Sequence, residues 1–101
     1  MKNRYEIAQE FSNKIKNKYI KRIVLFGSVA RGDDNDDSDI DILIISNNQE
    51  LIEDIISDEK FNILTKYKEL ISAHIISEKH YDDTINYSFL TNVRNEGIIL
   101  G

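Results

Sequence analysis

Two aspartates two residues apart, Asp39 and Asp41, interrupt an otherwise apolar run that ends at Ile45. In a strand, side chains at i and i+2 share a face, so this spacing sets the carboxylates side by side with Ile40 and Ile42 turned away. Adjacent carboxylates repel and raise each other's pKa unless a cation lies between them, and a divalent metal is the usual cation. Upstream, Gly27-Ser28 closes a short apolar run from Ile23 to Phe26. A strand running into Gly-Ser and then a helical turn offers backbone N–H donors to a phosphate, and glycine lets it approach without a Cβ in the way. The Ser28 hydroxyl adds a donor. The combined pattern reads as a triphosphate cradle beside a metal site. Mg²⁺ fits the ligand type, since it prefers oxygen, keeps several waters and is held by one or two carboxylates plus substrate phosphates. Such an ion can neutralise charge on a transferring phosphorus or orient an attacking hydroxyl.

Gly-Ser alone and Asp-x-Asp alone are weak signals. Their combination, Gly-Ser directly after an apolar strand and Asp-x-Asp opening the next one after ten intervening residues, is far more specific.

The flanking sequence supplies elements to position these residues. Residues 3–18 carry Ile7, Ala8, Phe11 and Ile15 at helical spacing, an amphipathic helix; the lysines at 14, 16, 18 and 21 read as a solvated face, with a weak phosphate-facing patch as the alternative. Lys21 to Phe26 has the pattern of a buried strand. Ser28 to Arg31 predicts one helical turn stopped at Gly32, followed by a polar loop and a second strand from Asp39 to Ile45. After the capping segment Ser46-Asn47-Asn48, the residues Leu51, Ile52, Ile55, Ile56, Ile63 and Leu64 predict a helical stripe over 49–66, with Ser57-Asp58 a point where it breaks in two. Leu70 to Ile76 predicts a third strand with Ile71, Ala73 and Ile75 on one face and Ser72, His74 and Ile76 on the other. Ile85, Phe89, Leu90 and Val93 mark a last short helix ending near Gly97. Ile98 to Leu100 reads as a final strand or a docking tail. Strands alternating with helices predict an α/β (α+β) fold, a small mixed sheet of three to four strands with helices packed on it.

At 101 residues the expectation is a single domain spanning 1–101. With no cysteine there is no disulfide framework and no thiolate zinc site, and reducing, cytoplasmic conditions fit best. No apolar run approaches the roughly 18 residues of a membrane span. The net charge of -5 is a local matter, because six of the 18 acidic residues fall between Asp33 and Asp41. That concentration argues for a local cation site over a generally acidic surface. Asp33, Asp34, Asp36 and Asp37 suit a solvated loop. Direct nucleic-acid binding is not expected, as no basic stripe interleaves with aromatics.

Gly27-Ser28-Val29-Ala30-Arg31-Gly32, followed by Ser38-Asp39-Ile40-Asp41, resembles the signature of the DNA polymerase β-type nucleotidyltransferases, and more narrowly the minimal nucleotidyltransferases (MNT). The motif runs from Phe26 to Ile42, and a weaker likeness that includes Asn92 to Ile98 extends over most of the chain. The resemblance implies a nucleotidyltransferase core, ATP with Mg²⁺, and transfer of AMP to a hydroxyl with release of pyrophosphate. It further implies an antitoxin of a HEPN/MNT toxin–antitoxin pair, placing AMP on a tyrosine of a HEPN-domain RNase toxin. By position, Gly27 and Ser28 would hold the β- and γ-phosphates, and Asp39 and Asp41 would bind metal and carry catalysis. Arg31 has two readings, a phosphate partner through its planar fork or a structural ion pair bridging the acidic loop.

The departure from that family is a third carboxylate, which on a nearby strand would complete the metal site and act as base. Leu70 to Ile76 offers Ser72 and His74, while Glu69 and Glu78 look like strand-end residues. His74 is therefore the candidate base, imidazole being suited to proton abstraction near neutral pH. A structural histidine is the alternative. The missing carboxylate also keeps open an antitoxin that neutralises its toxin by binding alone. Nucleotidyl transfer to a small molecule is a third reading, disfavoured because no second domain is expected to form the acceptor site.

Overall fold

The computed structural model describes residues 2–83, 93 and 95–101. In chain order the elements are α1 (Arg4–Ile15), β1 (Arg22–Phe26), α2 (Gly27–Arg31), β2 (Ile40–Ile45), α3 (Gln49–Tyr67), β3 (Ile71–Ile76), α4 (Glu78–Asp83) and β4 (Ile98–Ile99). The four strands form one mixed sheet in the order β3-β2-β1-β4. β1 pairs antiparallel with both β2 and β4, and β2 pairs parallel with β3, the chain crossing between them through α3.

Alternation along the strands divides the core into two layers. Ile23 and Leu25, then Ile40, Ile42 and Ile44, then Ile71 pack with Ile7, Ala8, Phe11 and Ile15 of α1 and Ile52, Ile56 and Ile63 of α3. On the opposite face Val24, Phe26, Leu43 and Ile45 join Tyr81 and Val93, with Ile76 against them. The Ile71/Ala73/Ile75 set packs with the first layer, and Ile76 with the second, as the alternation in β3 predicts.

α1 begins in a capping box that the hydrophobic pattern alone does not reveal. The Asn3 side chain accepts from the Glu6 backbone N–H at 2.8 Å, and the Glu6 carboxylate accepts from the Asn3 N–H at 3.2 Å. Gly32, with φ 80, stops α2 by taking the left-handed conformation its missing Cβ allows.

Two expectations need correction. α3 is one continuous helix across Ser57-Asp58, because neither residue costs more than a few tenths of a kcal/mol in a helix interior and Ile52, Ile56 and Ile63 bury one stripe through the junction. Its stripe is narrower than the apolar residues suggest, since Leu51, Ile55 and Leu64 are exposed. α4, a polar segment of six residues with the single buried side chain Tyr81, has no periodic signal in the sequence. Ile98-Ile99 is a strand paired to β1, and Leu100 is buried behind it. Of the expected last helix, Ile85, Phe89 and Leu90 lie outside the described residues, while Val93, Asn95 and Glu96 are helical and the Gly97 N–H donates to the Val93 carbonyl at 2.8 Å. No described helix is long and apolar enough to cross a membrane.

Candidate active site

The antiparallel register of β1 and β2 places Phe26 opposite Asp41 at the end of the pair, so the chain leaves β1 into Gly27 right beside the Asp41 carboxylate. Gly27 has φ 75, and a Cβ built on it would lie 3.1 Å from Cγ of Asp41 and closer still to Oδ2. Glycine is thus required here twice, by backbone conformation and by space. Ser28 follows, half-buried in the first turn of α2, and its carbonyl accepts from the Asp33 N–H at 3.0 Å, folding the acidic loop back onto the turn.

Asp41 is half-buried and Asp39 exposed. They differ in support as well. Asp41 lies inside β2, flanked by Phe26 on β1 and by Ser72 on β3. Asp39 lies one residue before the strand begins, and the first ladder bond there is from the Ile40 N–H to the Leu70 carbonyl at 2.9 Å. Burial pushes the Asp41 carboxyl above its ordinary pKa and the neighbouring Asp39 charge adds to this, while His74 and Arg31 pull the other way. Asp39, His74 and Arg31 are therefore all electrostatic neighbours of Asp41. A cation placed between the carboxylates would relieve both the desolvation and the repulsion.

His74 reaches the same region from β3. It stands in register with Leu43, its ring 5.8 Å from that of Phe26 across the sheet face that carries Asp41. Its Nε2 is 3.4 Å from the Ser72 hydroxyl. Arg31 is exposed and pairs with Asp33 at 3.2 Å and with Glu96 at 3.4 Å, so in this state it is an ion-pair bridge of the kind that was one of its two readings.

The two other carboxylates near β3 are engaged elsewhere. Glu69 binds Nε of Arg4 at 2.7 Å, and Glu78 accepts from the Asn47 side chain at 2.7 Å beyond the opposite end of the strand. The loop is also less solvated than its composition suggests, since Asp34 pairs with Arg4 at 2.9 Å and Asp33 with Arg31. Arg4 is the participant that sequence reading missed. It lies 30 and 65 residues from these partners, and no local pattern marks it.

Among the described residues no three His, Cys, Asp or Glu side chains converge on one metal position. Asp39 and Asp41 alone do not suit a metal held wholly by protein. They do suit Mg²⁺ held jointly by carboxylates, nucleotide phosphates and water.

The sequence profile of the nucleotidyltransferase domain matches residues 5–99. The chain belongs to the nucleotidyltransferase family. A Methanocaldococcus jannaschii relative, MJ0604, named as a protein adenylyltransferase, is 43% identical over 97% of this chain and 98% of its own length. A second protein of that organism with the same description, MJ0141, is 33% identical over 92% of this chain and 90% of its own. Among solved structures, a toxin–antitoxin crystallised with AMP-PNP superposes with a TM-score of 0.61 at 15% identity, covering 99% of this chain and 73% of the other. That likeness bears on the fold, which is a nucleotidyltransferase core of mixed sheet and helices.

Proposed function

We propose that this nucleotidyltransferase transfers AMP from ATP to a hydroxyl of a partner protein, a tyrosine of a HEPN-type RNase toxin, and so acts as the antitoxin of the pair. The observation that carries the reading is the close approach of Gly27 to Asp41, which joins a phosphate-type turn to a carboxylate pair at one end of the sheet. Full-length similarity to a protein named as a protein adenylyltransferase supports AMP as the transferred group and a protein as the acceptor. The fold shared with a toxin–antitoxin supports a toxin as that protein.

In this reading Gly27 and Ser28 bind the β- and γ-phosphates, and Asp39 with Asp41 holds Mg²⁺. The ion when bound supplies charge neutralisation at the phosphates and the leaving pyrophosphate. The tyrosine oxygen attacks the α-phosphorus, a new P–O bond forms, and the bond to the β-phosphate oxygen breaks with pyrophosphate departing. His74, on the sheet face of Asp41, accepts the tyrosine proton. Arg31 is positioned to exchange its exposed Asp33 and Glu96 contacts for a phosphate.

The test is incubation of the purified protein with ATP, Mg²⁺ and the product of the neighbouring gene, followed by intact mass of that product. Gain of an AMP unit that disappears in the Asp39→Ala, Asp41→Ala double variant is the expected result. No gain, or a gain that survives the double substitution, overturns it. The absence of a third converging carboxylate among the described residues favours one rival, an antitoxin that works by covering its toxin. That rival requires protection from toxicity to persist in the double variant.

A further inference from the structure

The polar loop between Gly32 and Asp39 is held by one side chain from the start of the chain. Arg4, at the first turn of α1, is half-buried, its side chain 15% exposed. It donates to Oδ2 of Asp34 at 2.9 Å, to the Asn35 carbonyl, to the Asp36 carbonyl at 3.2 Å and to Oε2 of Glu69 at 2.7 Å. Two of these acceptors are backbone carbonyls of the loop, so the guanidinium fixes its path and does more than balance its charge. Glu69 immediately precedes Leu70, whose carbonyl receives the Ile40 N–H. Arg4 therefore ties together α1, the loop and the entrance of β3 on either side of the residue that starts β2.

The consequence falls on Asp39. Asp41 is held by strand neighbours on both sides, whereas Asp39 lies one residue outside the ladder, between the clamped loop and Ile40, whose N–H is bound by the Leu70 carbonyl next to Glu69. Resting on the nucleotidyltransferase reading above, we propose that Arg4 is a positioning residue that sets Asp39 against Asp41 for the metal-bound nucleotide. Lysine cannot replace it, because a point charge cannot span two carboxylates and two carbonyls at once.

The measurement is Mn²⁺ binding in the presence of the non-hydrolysable nucleotide AMP-PNP, followed by electron paramagnetic resonance, on the whole chain. Residues that orient metal ligands typically contribute 10- to 100-fold in metal affinity. Arg4→Ala is expected to weaken Mn²⁺ binding by at least about tenfold, with Arg4→Lys little better. Hydrogen exchange over residues 33–39 is expected to rise in both variants while that of β2 does not. In an Asp39→Asn background, Arg4→Ala is expected to cause no further loss, since its effect runs through Asp39. Arg4→Ala with wild-type affinity, or an effect of full size in the Asp39→Asn background, overturns the proposal alone. A wild-type chain that binds no Mn²⁺ with the nucleotide overturns the nucleotidyltransferase site reading, and this proposal with it. Should Arg4→Ala not fold, Glu69→Gln and Asp34→Asn together, which remove the charged half of the clamp, are expected to give the same loosening. Unchanged affinity and exchange in that variant also overturn the proposal.

Discussion

Gly27 and Asp41 occupy space that admits no side chain between them: Gly27 adopts φ 75, and a Cβ there would stand 3.1 Å from Cγ of Asp41. Gly27→Ala must therefore either push the Asp41 carboxylate aside or move the turn, and it adds left-handed backbone strain of about 1 kcal/mol. AMP transfer is expected to fall at least about 100-fold, with a loss of stability of about 1–3 kcal/mol. A gel-based AMP-transfer assay beside a urea melt checks both. Near-wild-type transfer in a folded Gly27→Ala protein would contradict the close approach.

Asp41 is half-buried beside Asp39 in a surrounding that disfavours its charge. If Asp41 is kept for binding metal at the expense of the fold, as the proposed function requires, it has a recognisable signature. Asp41→Asn is expected to abolish AMP transfer while raising the melting temperature of the metal-free protein at pH 7 by up to a few degrees. Addition of Mg²⁺ with nucleotide should stabilise the wild type and leave Asp41→Asn unmoved. Thermal melts with and without Mg²⁺ and AMP-PNP decide it, and a destabilised metal-free Asp41→Asn variant would count against the argument.

The parts of the molecule legible in the sequence are those governed by short-period patterns. Alternation in the two apolar runs assigns residues to a sheet face, and across Ile40–Ile45 and Ile71–Ile76 the structure keeps that assignment, with Ile40, Ile42 and Ile71 in one layer and Leu43 and Ile76 in the other. The closeness of Gly27 to Asp41 follows from strand pairing, which the sequence suggests through the short connection but does not fix in register. What local patterns cannot show is contact between distant residues. Arg4 holds Asp34, 30 residues away, and Glu69, 65 away, so a loop that reads as solvated is clamped. α4 is illegible for a different reason, since a six-residue helix whose one buried side chain is Tyr81 has too few turns for a stripe.

Glu10 makes the pH dependence of folding measurable away from the site. Lys2 binds it most strongly, the Tyr67 hydroxyl donates to it at 2.7 Å and Lys66 lies 3.5 Å away, which together hold its carboxyl at about 2, below the ordinary 4.5. A depressed carboxylate contributes stability that is complete above its unfolded pKa and is lost as pH falls through the folded one. The window is therefore from about pH 4.5 down to about pH 2. Because both lysines are well exposed, the contribution is about 1 kcal/mol rather than the full linkage value. Glu10→Gln is expected to lower stability at pH 7 by that amount and to flatten the acid limb in this window. Urea melts at a series of pH values measure it, and an unchanged acid limb would contradict the linkage.

Ser72 stands beside Asp41 in the parallel register of β2 and β3, on the sheet face shared with His74. A carboxylate at that position would lie next to Asp41 and, on the proposed function, would supply a third oxygen ligand to the Mg²⁺ that Asp39 and Asp41 are proposed to hold. Ser72→Asp is therefore expected to tighten Mg²⁺ binding in the presence of ATP and to raise kcat/KM for AMP transfer by about tenfold, a gain of about 1.4 kcal/mol in transition-state stabilisation. The added negative charge also raises repulsion in the metal-free state, so the same substitution is expected to lower the melting temperature until Mg²⁺ and nucleotide are present. Ser72→Ala, which removes the hydroxyl near Nε2 of His74 without adding a ligand, is expected to leave Mg²⁺ dependence unchanged. Steady-state kinetics across a Mg²⁺ titration separate the two variants. A Ser72→Asp protein whose Mg²⁺ dependence matches that of Ser72→Ala would show that this edge of the site does not face the metal.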